Sequence, residues 1–233
     1  MLRYLRQIEV IGVENQKKLS NSSVLVIGAG GLGSAVITYL ACAGVGKIGV
    51  SDGDLVEIHN LDRQFIHAGK IGIKKSKSAE MFIKTLNPEV EIEIYDDFGK
   101  DKSLRISKYD LVVCCVDTIE DRHKINEVCF KNKKPMIHAA ISGFEGELAV
   151  FDFRNSGSPC YECIYPRNIH SEKNSVVSPI AGIVGSMQAL EAIKLICNFE
   201  TLNHLLRMDF RYMEFIKISI SKRKDCPVCS KNL

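Results

Sequence analysis

The stretch Val24-Leu-Val-Ile-Gly-Ala-Gly-Gly-Leu-Gly33 leaves this chain few folds to choose from. An aliphatic run, Val24 to Ile27, leads directly into Gly28, Gly30 and Gly33 at G-x-G-x-x-G spacing. Leu32, Ala35, Val36, Tyr39, Leu40 and Ala43 then recur at helical intervals, and Gly44 stops the pattern. The spacing predicts a strand, a tight turn and a helix. Backbone without Cβ atoms turns sharply, approaches phosphate oxygens and presents N–H groups at a helix N-terminus. Lys47 to Ser51 reads as the next strand, and Asp52 follows it, where an acid meets a ribose hydroxyl in a dinucleotide fold. A glycine turn needed only for helix–strand packing would not require that acid. The motif alone does not choose between NAD, FAD and ATP.

The chain has 233 residues, room for one large α/β domain or one domain with a small appendage. Its net charge of +3 gives no basic footprint for nucleic acid or an anionic membrane, and neither is expected as a partner. No apolar signal region follows Met1-Leu-Arg-Tyr-Leu-Arg6. The longest apolar segment, from Pro179 to Cys197, carries Gln188, Glu191 and Lys194 and reads as a core helix. Nine cysteines, an odd count without an export signal, point to a reducing, cytoplasmic setting with free thiols or metal ligands.

Along the chain, a polar helical piece should end near Ser20, and the arginines beside Tyr4 read as a solvated face. A long polar connection runs from Asp52 to Phe65, and long ordered connections are often functional. Ile71 to Leu86 reads as a lysine-rich helix stopped by Asn87-Pro88. Val90 to Tyr95 alternates as a half-exposed strand. Tyr109 to Val116 is a buried strand that delivers Asp117 and Thr118 to the carboxyl edge of the sheet, where ligands of open α/β sheets sit. A helix over Ile119 to Lys134 and a strand over Pro135 to Ala140 follow. Gly146 to Phe153 reads as antiparallel, and Met213 to Ile220 as the last strand. The expected fold is Rossmann-like α/β: a mostly parallel sheet with added antiparallel strands. It is one domain over 1–233, with an arm over 1–20, a nucleotide-binding core over 21–153, and a crossover loop, helix, last strand and cysteine site over 154–233.

Two C-x-x-C pairs carry the strongest chemical signal: Cys160 with Cys163, and Cys226 with Cys229. Each pair chelates one tetrahedral Zn2+ from a tight turn, and four thiolates close the coordination sphere, so the site would be structural. Structural zinc contributes roughly 10–16 kcal/mol of apparent binding energy at neutral pH. The alternatives are a redox dithiol or two unrelated pairs. Cys42, Cys114, Cys115, Cys129 and Cys197 fall in apolar patterns and read as core thiols.

Arg63, Lys75 and Asp117 join Asp52 in a second constellation. A site that breaks the α–β bond of ATP needs cations against the triphosphate, and a carboxylate beyond a buried strand suits Mg2+. Lys70, Lys74, Lys75 and Lys77 crowd one short stretch, and spacing alone does not choose among them.

Arg3-Tyr-Leu-Arg-Gln7, Gly28-Ala-Gly-Gly-Leu-Gly33, Asp52-Gly-Asp54, Asn60-Leu-Asp-Arg-Gln64, Asp117 and the two cysteine pairs occur in the order seen in the ThiF/MoeB/HesA family, which this chain resembles end to end. These are prokaryotic relatives of ubiquitin-activating enzymes. The resemblance implies a cytoplasmic adenylyltransferase that binds Mg2+ and ATP. It would adenylate the Gly-Gly C-terminus of a small ubiquitin-like sulfur carrier and release pyrophosphate. A sulfur donor would then convert the acyl-adenylate to a thiocarboxylate. By the same resemblance Gly28, Gly30, Gly31, Asp52 and Asp54 belong to the nucleotide site, Asn60, Arg63 and Gln64 lie along the phosphates, and Lys75, which precedes Ser78-Ala79, is the phosphate lysine. Asp117, beside Thr118, would hold Mg2+. Arg6 would reach into the partner's site of a homodimer. Cys160, Cys163, Cys226 and Cys229 would be the zinc ligands.

Many relatives carry a cysteine near the position of Ser171, and here no cysteine lies between Cys163 and Cys197. Adenylation without an enzyme-bound thioester at that loop is therefore expected. The chain stops just past the second cysteine pair, so sulfur is expected from a separate protein. Lys74 and Thr118 replace a frequent proline and asparagine without removing a catalytic group. A peptide or another carboxylate is the alternative substrate. An NAD-dependent oxidoreductase would leave Arg63, Lys75 and the cysteine pairs without a role, and a silent scaffold would be expected to have lost Arg63, Lys75 or Asp117.

Overall fold

The computed structural model describes residues 2–97, 102–167 and 175–230; Ser171 lies outside them. In chain order the elements are α1 (Leu5–Ile11), α2 (Val13–Ser20), β1 (Ser23–Ile27), α3 (Gly31–Ala43), β2 (Lys47–Ser51), α4 (Lys75–Leu86), β3 (Glu91–Tyr95), α5 (Lys102–Ser107) and β4 (Leu111–Cys114). They continue with α6 (Ile119–Lys131), β5 (Met136–Ser142), β6 (Glu145–Phe151), α7 (Tyr161–Ile164), α8 (Ser178–Cys197), β7 (His204–Asp209) and β8 (Glu214–Ser219).

One sheet runs β3-β2-β1-β4-β5-β6-β7-β8. The strands from β3 to β5 pair in parallel, and β6, β7 and β8 add on antiparallel. The mixed α/β architecture is the one expected. Strand alternation explains the two-sided core. Val24 and Val26 face one apolar layer with residues of α3 and α8, while Leu25 and Ile27 face the other with residues of α6 and the clustered cysteines. Chain order reverses between β1 and β4, so a crevice opens there at the carboxyl ends of the strands.

The helix α8 is apolar enough to cross a membrane by length and composition, but here Ile180, Ala181, Val184, Ala189 and Ala192 are buried. It presses on α3 so closely that a Cβ on Gly185 would fall 2.5 Å from the Leu32 carbonyl oxygen.

Several boundaries differ from the sequence reading. The helix expected from Ile71 begins at Lys75, because the preceding backbone is used elsewhere: Val56 N–H donates to the Ile73 carbonyl at 2.9 Å, and Leu55 bridges Lys74. The last turn expected for α6 is absent beyond Lys131, where Lys133 takes φ +51°. The strand β7 and the short α5 were not foreseen. Tyr4 is buried, not solvated. Gly44 leaves a socket for it, since a Cβ there would fall 2.6 Å from its ring, and Asn87 donates to its hydroxyl at 2.8 Å. Cys42 is exposed beside Tyr39 on the outer face of α3, so it is not a core thiol. The other four cysteines outside the pairs are buried.

Candidate functional site

A cleft of about 1210 Å³ occupies the crevice between β1 and β4. Its floor is the glycine loop. Gly28 takes φ +97°, and a Cβ there would strike the Cys115 carbonyl at 2.6 Å, so glycine is required for the loop to lie against β4. Gly30 and Gly31 line the cleft itself. The ends of the adjacent strands contribute Asp52, Asp117 and Thr118 to the same cleft.

The carboxylate of Asp52 is already engaged. Ala29 N–H donates to one oxygen at 2.7 Å and Asp54 N–H to the other at 2.9 Å. Asp52 thus shapes the loop as well as facing the cleft. Asp54 and Lys75 are joined twice, by the Lys75 N–H to the Asp54 carbonyl at 2.9 Å and by the ammonium to the Asp54 carboxylate at 2.8 Å. The backbone bridge that delays the start of α4 is what places Lys75 there. Of the four crowded lysines, Lys75 is the buried one, at 7% exposure, and it lines the cleft. Burial and the cleft set Lys75 apart from the other three.

The long connection after Asp54 folds into two 3-10 turns, Ile58–Asn60 and Phe65–His67. Asn60 is buried and its side-chain oxygen accepts from Glu57 N–H at 2.9 Å, so it holds the first turn. Arg63 is pinned by His59 O at 3.1 Å and Asp62 at 2.6 Å and packs beside Gly31. Gln64 is 4% exposed, lines the cleft, and its side-chain oxygen has no partner among the described residues. A buried orphan acceptor at the cleft wall is satisfied by a ligand or water. Asp117 is exposed and makes no hydrogen bond or ion pair among the described residues. Thr118 is committed: its hydroxyl caps α6 by accepting from Asp121 N–H at 3.2 Å.

Every predicted nucleotide-site residue therefore lines this one cleft. Arg6 does not. It projects from α1 with its side chain 95% exposed, and among the described residues its ion pair is with Glu9 at 3.6 Å.

The far wall of the cleft holds residues that the sequence did not single out. Arg122 is buried, and its guanidinium donates to the Val116 carbonyl at 3.1 Å, beside Asp117. Glu147 meets His138 at 3.0 Å and accepts from the Tyr165 hydroxyl at 2.5 Å. Burial opposes ionisation of Glu147, but the hydrogen bonds from His138 and Tyr165 outweigh it and hold its pKa at about 2. Burial depresses the pKa of His138, although the Glu147 carboxylate works against that shift. Behind the glycine loop, His67 is fully buried between Ala29 and Ser78. A histidine four residues past Arg63, and an arginine in the acid-favouring first turn of α6, were the faint sequence signals for His67 and Arg122.

The sulfurs of Cys160, Cys163, Cys226 and Cys229 all lie within 4.8 Å of one another. Three separations are 3.9, 3.6 and 3.4 Å. A tetrahedron with Zn–S bonds of about 2.3 Å has edges of roughly 3.8 Å, and disulfides would need about 2.05 Å. The four thiols fit a closed tetrahedral metal such as zinc. Arg223 N–H adds a hydrogen bond to Cys163 Sγ at 3.4 Å, the kind of support that orients a thiolate ligand. The pairs fasten α7 to the C-terminal segment, as the spacing implied.

The ThiF family model matches residues 4–228. The adenylyltransferase and sulfurtransferase MOCS3 of Aedes aegypti is 39% identical over 244 residues, covering 99% of this chain and 55% of the relative. The adenylyltransferase and sulfurtransferase UBA4 of Candida albicans is 38% identical, with 99% and 56% covered. The chain thus spans about half the length of the curated relatives it matches. Among solved structures, Escherichia coli MccB with MccA-N7isoASN superposes with a TM-score of 0.86 at 22% identity, over 98% of this chain and 74% of that one. MccB with ATP gives 0.85 at 24% identity, over 97% and 73%. At these identities the likeness is one of fold. The near-complete family match and the identity to MOCS3 and UBA4 agree: the chain belongs to the ThiF family.

Proposed function

We propose that this chain is an ATP-dependent adenylyltransferase acting on the C-terminal glycine of a ubiquitin-like sulfur carrier. In this reaction a carboxylate oxygen attacks the α-phosphorus of ATP, the bond to the β-phosphate bridging oxygen breaks, and pyrophosphate leaves with that electron pair. The observation that carries the reading is the meeting of two cations, Arg63 and Lys75, with the exposed carboxylate of Asp117, partner-free among the described residues, around one glycine loop. A hydride-transfer site has no use for that combination, whereas a departing pyrophosphate does.

Gly30 and Gly31 admit the nucleotide close to the backbone. Asp52 and Asp54 face its ribose side, and Asn60, Arg63, Gln64 and Lys75 take the phosphates. Asp117, with Thr118 beside it, would hold Mg2+, which supplies charge neutralisation on the leaving pyrophosphate. The cleft volume of about 1210 Å³ exceeds the roughly 300–1,000 Å³ of an ordinary small-molecule pocket, and so leaves room for an acyl tail beside ATP. Arg6, exposed and remote from its own cleft, suits a homodimer in which it completes the partner's site. The four cysteines would hold Zn2+. A sulfur donor would then convert the acyl-adenylate to the thiocarboxylate, displacing AMP.

The test is ATP–pyrophosphate exchange with and without Gly-Gly-terminated carriers. Exchange that requires one carrier and its terminal glycine supports the reading. ATP binding without exchange on any carrier overturns it.

A further inference from the structure

We infer that His67, held as the neutral Nε2–H tautomer, is a positioning residue that aims the Gly30 amide at the nucleotide phosphates and locks the glycine loop to the helix carrying Lys75. The inference rests on the adenylation reading for its kinetic readout alone.

For a neutral ring, the bonding around His67 allows one arrangement of protons. Nε2 lies 2.8 Å from the Ala29 carbonyl oxygen, which can only accept, so Nε2 carries the hydrogen. Nδ1 then accepts from the Ser78 hydroxyl, also at 2.8 Å. Both His67 and Ser78 are fully buried. Burial also disfavours the charged imidazolium, and Lys75 and Lys70 add to that, against the pull of the Ala29 carbonyl and Asp52.

The two partners belong to different parts of the site. Ser78 sits one turn after Lys75 on α4. Ala29 is the residue between Gly28 and Gly30 in the glycine loop, and its N–H is held by Asp52 at 2.7 Å. Both polar groups of Ala29 are therefore tied. In a trans peptide the C=O and the following N–H point in opposite directions, and no cis bond is present among the described residues. Tying the Ala29 carbonyl inward to His67 turns the Gly30 N–H outward. Gly30 lines the cleft, and its N–H has no hydrogen-bond partner among the described residues. A free, oriented amide at the start of α3 is a phosphate donor. One imidazole thus fixes that donor and the register of the Lys75 helix together.

Two experiments decide. In the wild-type protein, 15N chemical shifts of the His67 ring are expected to show a protonated Nε2 and a bare Nδ1 at neutral pH. A dominant Nδ1–H tautomer overturns the inference, whether or not the protein adenylates anything. In the second, ATP Kd by calorimetry and KM for ATP in pyrophosphate exchange are compared for His67→Leu and His67→Gln. Removing the strut is expected to weaken ATP on the order of 10-fold and to lower kcat further, because small displacements of positioning groups are costly. His67→Gln, which can donate from its amide nitrogen and accept on its oxygen, is expected to recover most of that loss. A folded His67→Leu with wild-type ATP affinity, or a Gln variant as impaired as Leu, overturns the inference. If His67→Leu does not fold, Ser78→Ala removes the Nδ1 partner alone. It is expected to keep the Nε2–H tautomer that the Ala29 carbonyl imposes and to weaken ATP about 3-fold, a typical cost for one neutral hydrogen bond; a Ser78→Ala protein that switches to Nδ1–H, or one with unchanged ATP affinity, overturns it. Should wild-type exchange fail, the adenylation reading falls while the tautomer and the Kd still judge His67.

Discussion

Lys75 and Asp54 form an ion pair of 2.8 Å whose partners are unequally placed: the lysine side chain is 9% exposed and the aspartate 74%. The aspartate can turn to water at little cost, while the ammonium has nowhere to go but the cleft. An arriving phosphate can therefore replace Asp54 without stranding a buried cation. Replacing Lys75 by Met keeps the bulk and removes the charge. Exchange at saturating ATP is expected to fall roughly 100-fold or more, with near-native secondary structure by circular dichroism. A Lys75→Met enzyme with wild-type exchange would remove the phosphate role.

Arg6 and Arg63 offer a test of composite sites. Arg63→Ala and Arg6→Ala are each expected to lose exchange as pure proteins. If each site takes Arg63 from one subunit and Arg6 from the other, subunit exchange between the two variants creates one intact site per mixed dimer. About a quarter of wild-type activity should then return at equal mixing. No recovery, with mixed dimers demonstrated by mass, would place Arg6 outside the site.

The cysteine cluster predicts a thiol count that changes with metal. In the metal-bound protein Cys42, the exposed cysteine, should react fast with a thiol reagent. A strong chelator should release Cys160, Cys163, Cys226 and Cys229 to the reagent as well. Tm should drop on the order of 10 °C, since a ligand bound to the folded state alone stabilises it by mass action. Cys226→Ser should bind no stoichiometric zinc by atomic absorption. Full zinc content in that variant would show that the cluster is not the site.

Buried neutral histidines set an acid limit on stability. His67 and His138 both lie below the ordinary histidine value of 6.5, burial being the main cause in each. Below pH 6.5 the unfolded chain takes up protons that the folded chain refuses, so stability is full above that value and declines as pH falls. Each site costs up to about 1.4 kcal/mol per pH unit in that window. Glu147 acts lower. Its carboxylate is depressed to about 2, so its contribution is present above 4.5 and drains away toward pH 2. Thermal melts from pH 7.5 to 5 should show a steadily falling Tm, less steep in His67→Gln. A flat profile would mean that these rings are protonated in the folded state.

Much of this fold was legible because β1 and β4 are short apolar runs that lead to the glycines and to Asp117, and parallel strands buried on both faces have to look that way. The strand β7 was not, because His-Leu-Leu-Arg-Met-Asp has no alternation and no β-branched or aromatic residue; pairing with β6 and β8 makes it a strand. The site divides in the same way. Glycine loop and aspartates announce themselves by spacing. Lys75 is separated from its neighbours by burial, and His67 and Glu147 gain their roles from partners farther along the chain: Ala29 lies 38 residues from His67, and Tyr165 lies 18 from Glu147.

The close crossing of α3 and α8 has a consequence for synthesis. The face of α3 that Gly185 meets is made early, and the helix that covers it is completed only at Cys197. At ribosomal speeds of about 5–20 residues per second, that face waits roughly ten to thirty seconds for its cover. The glycine loop leaves the ribosome in the same interval, attached to a helix that has not yet been packed. A nascent chain of this design leaves that apolar face uncovered throughout the wait, and a slow-codon stretch ahead of α8 would lengthen the exposure without altering a single residue.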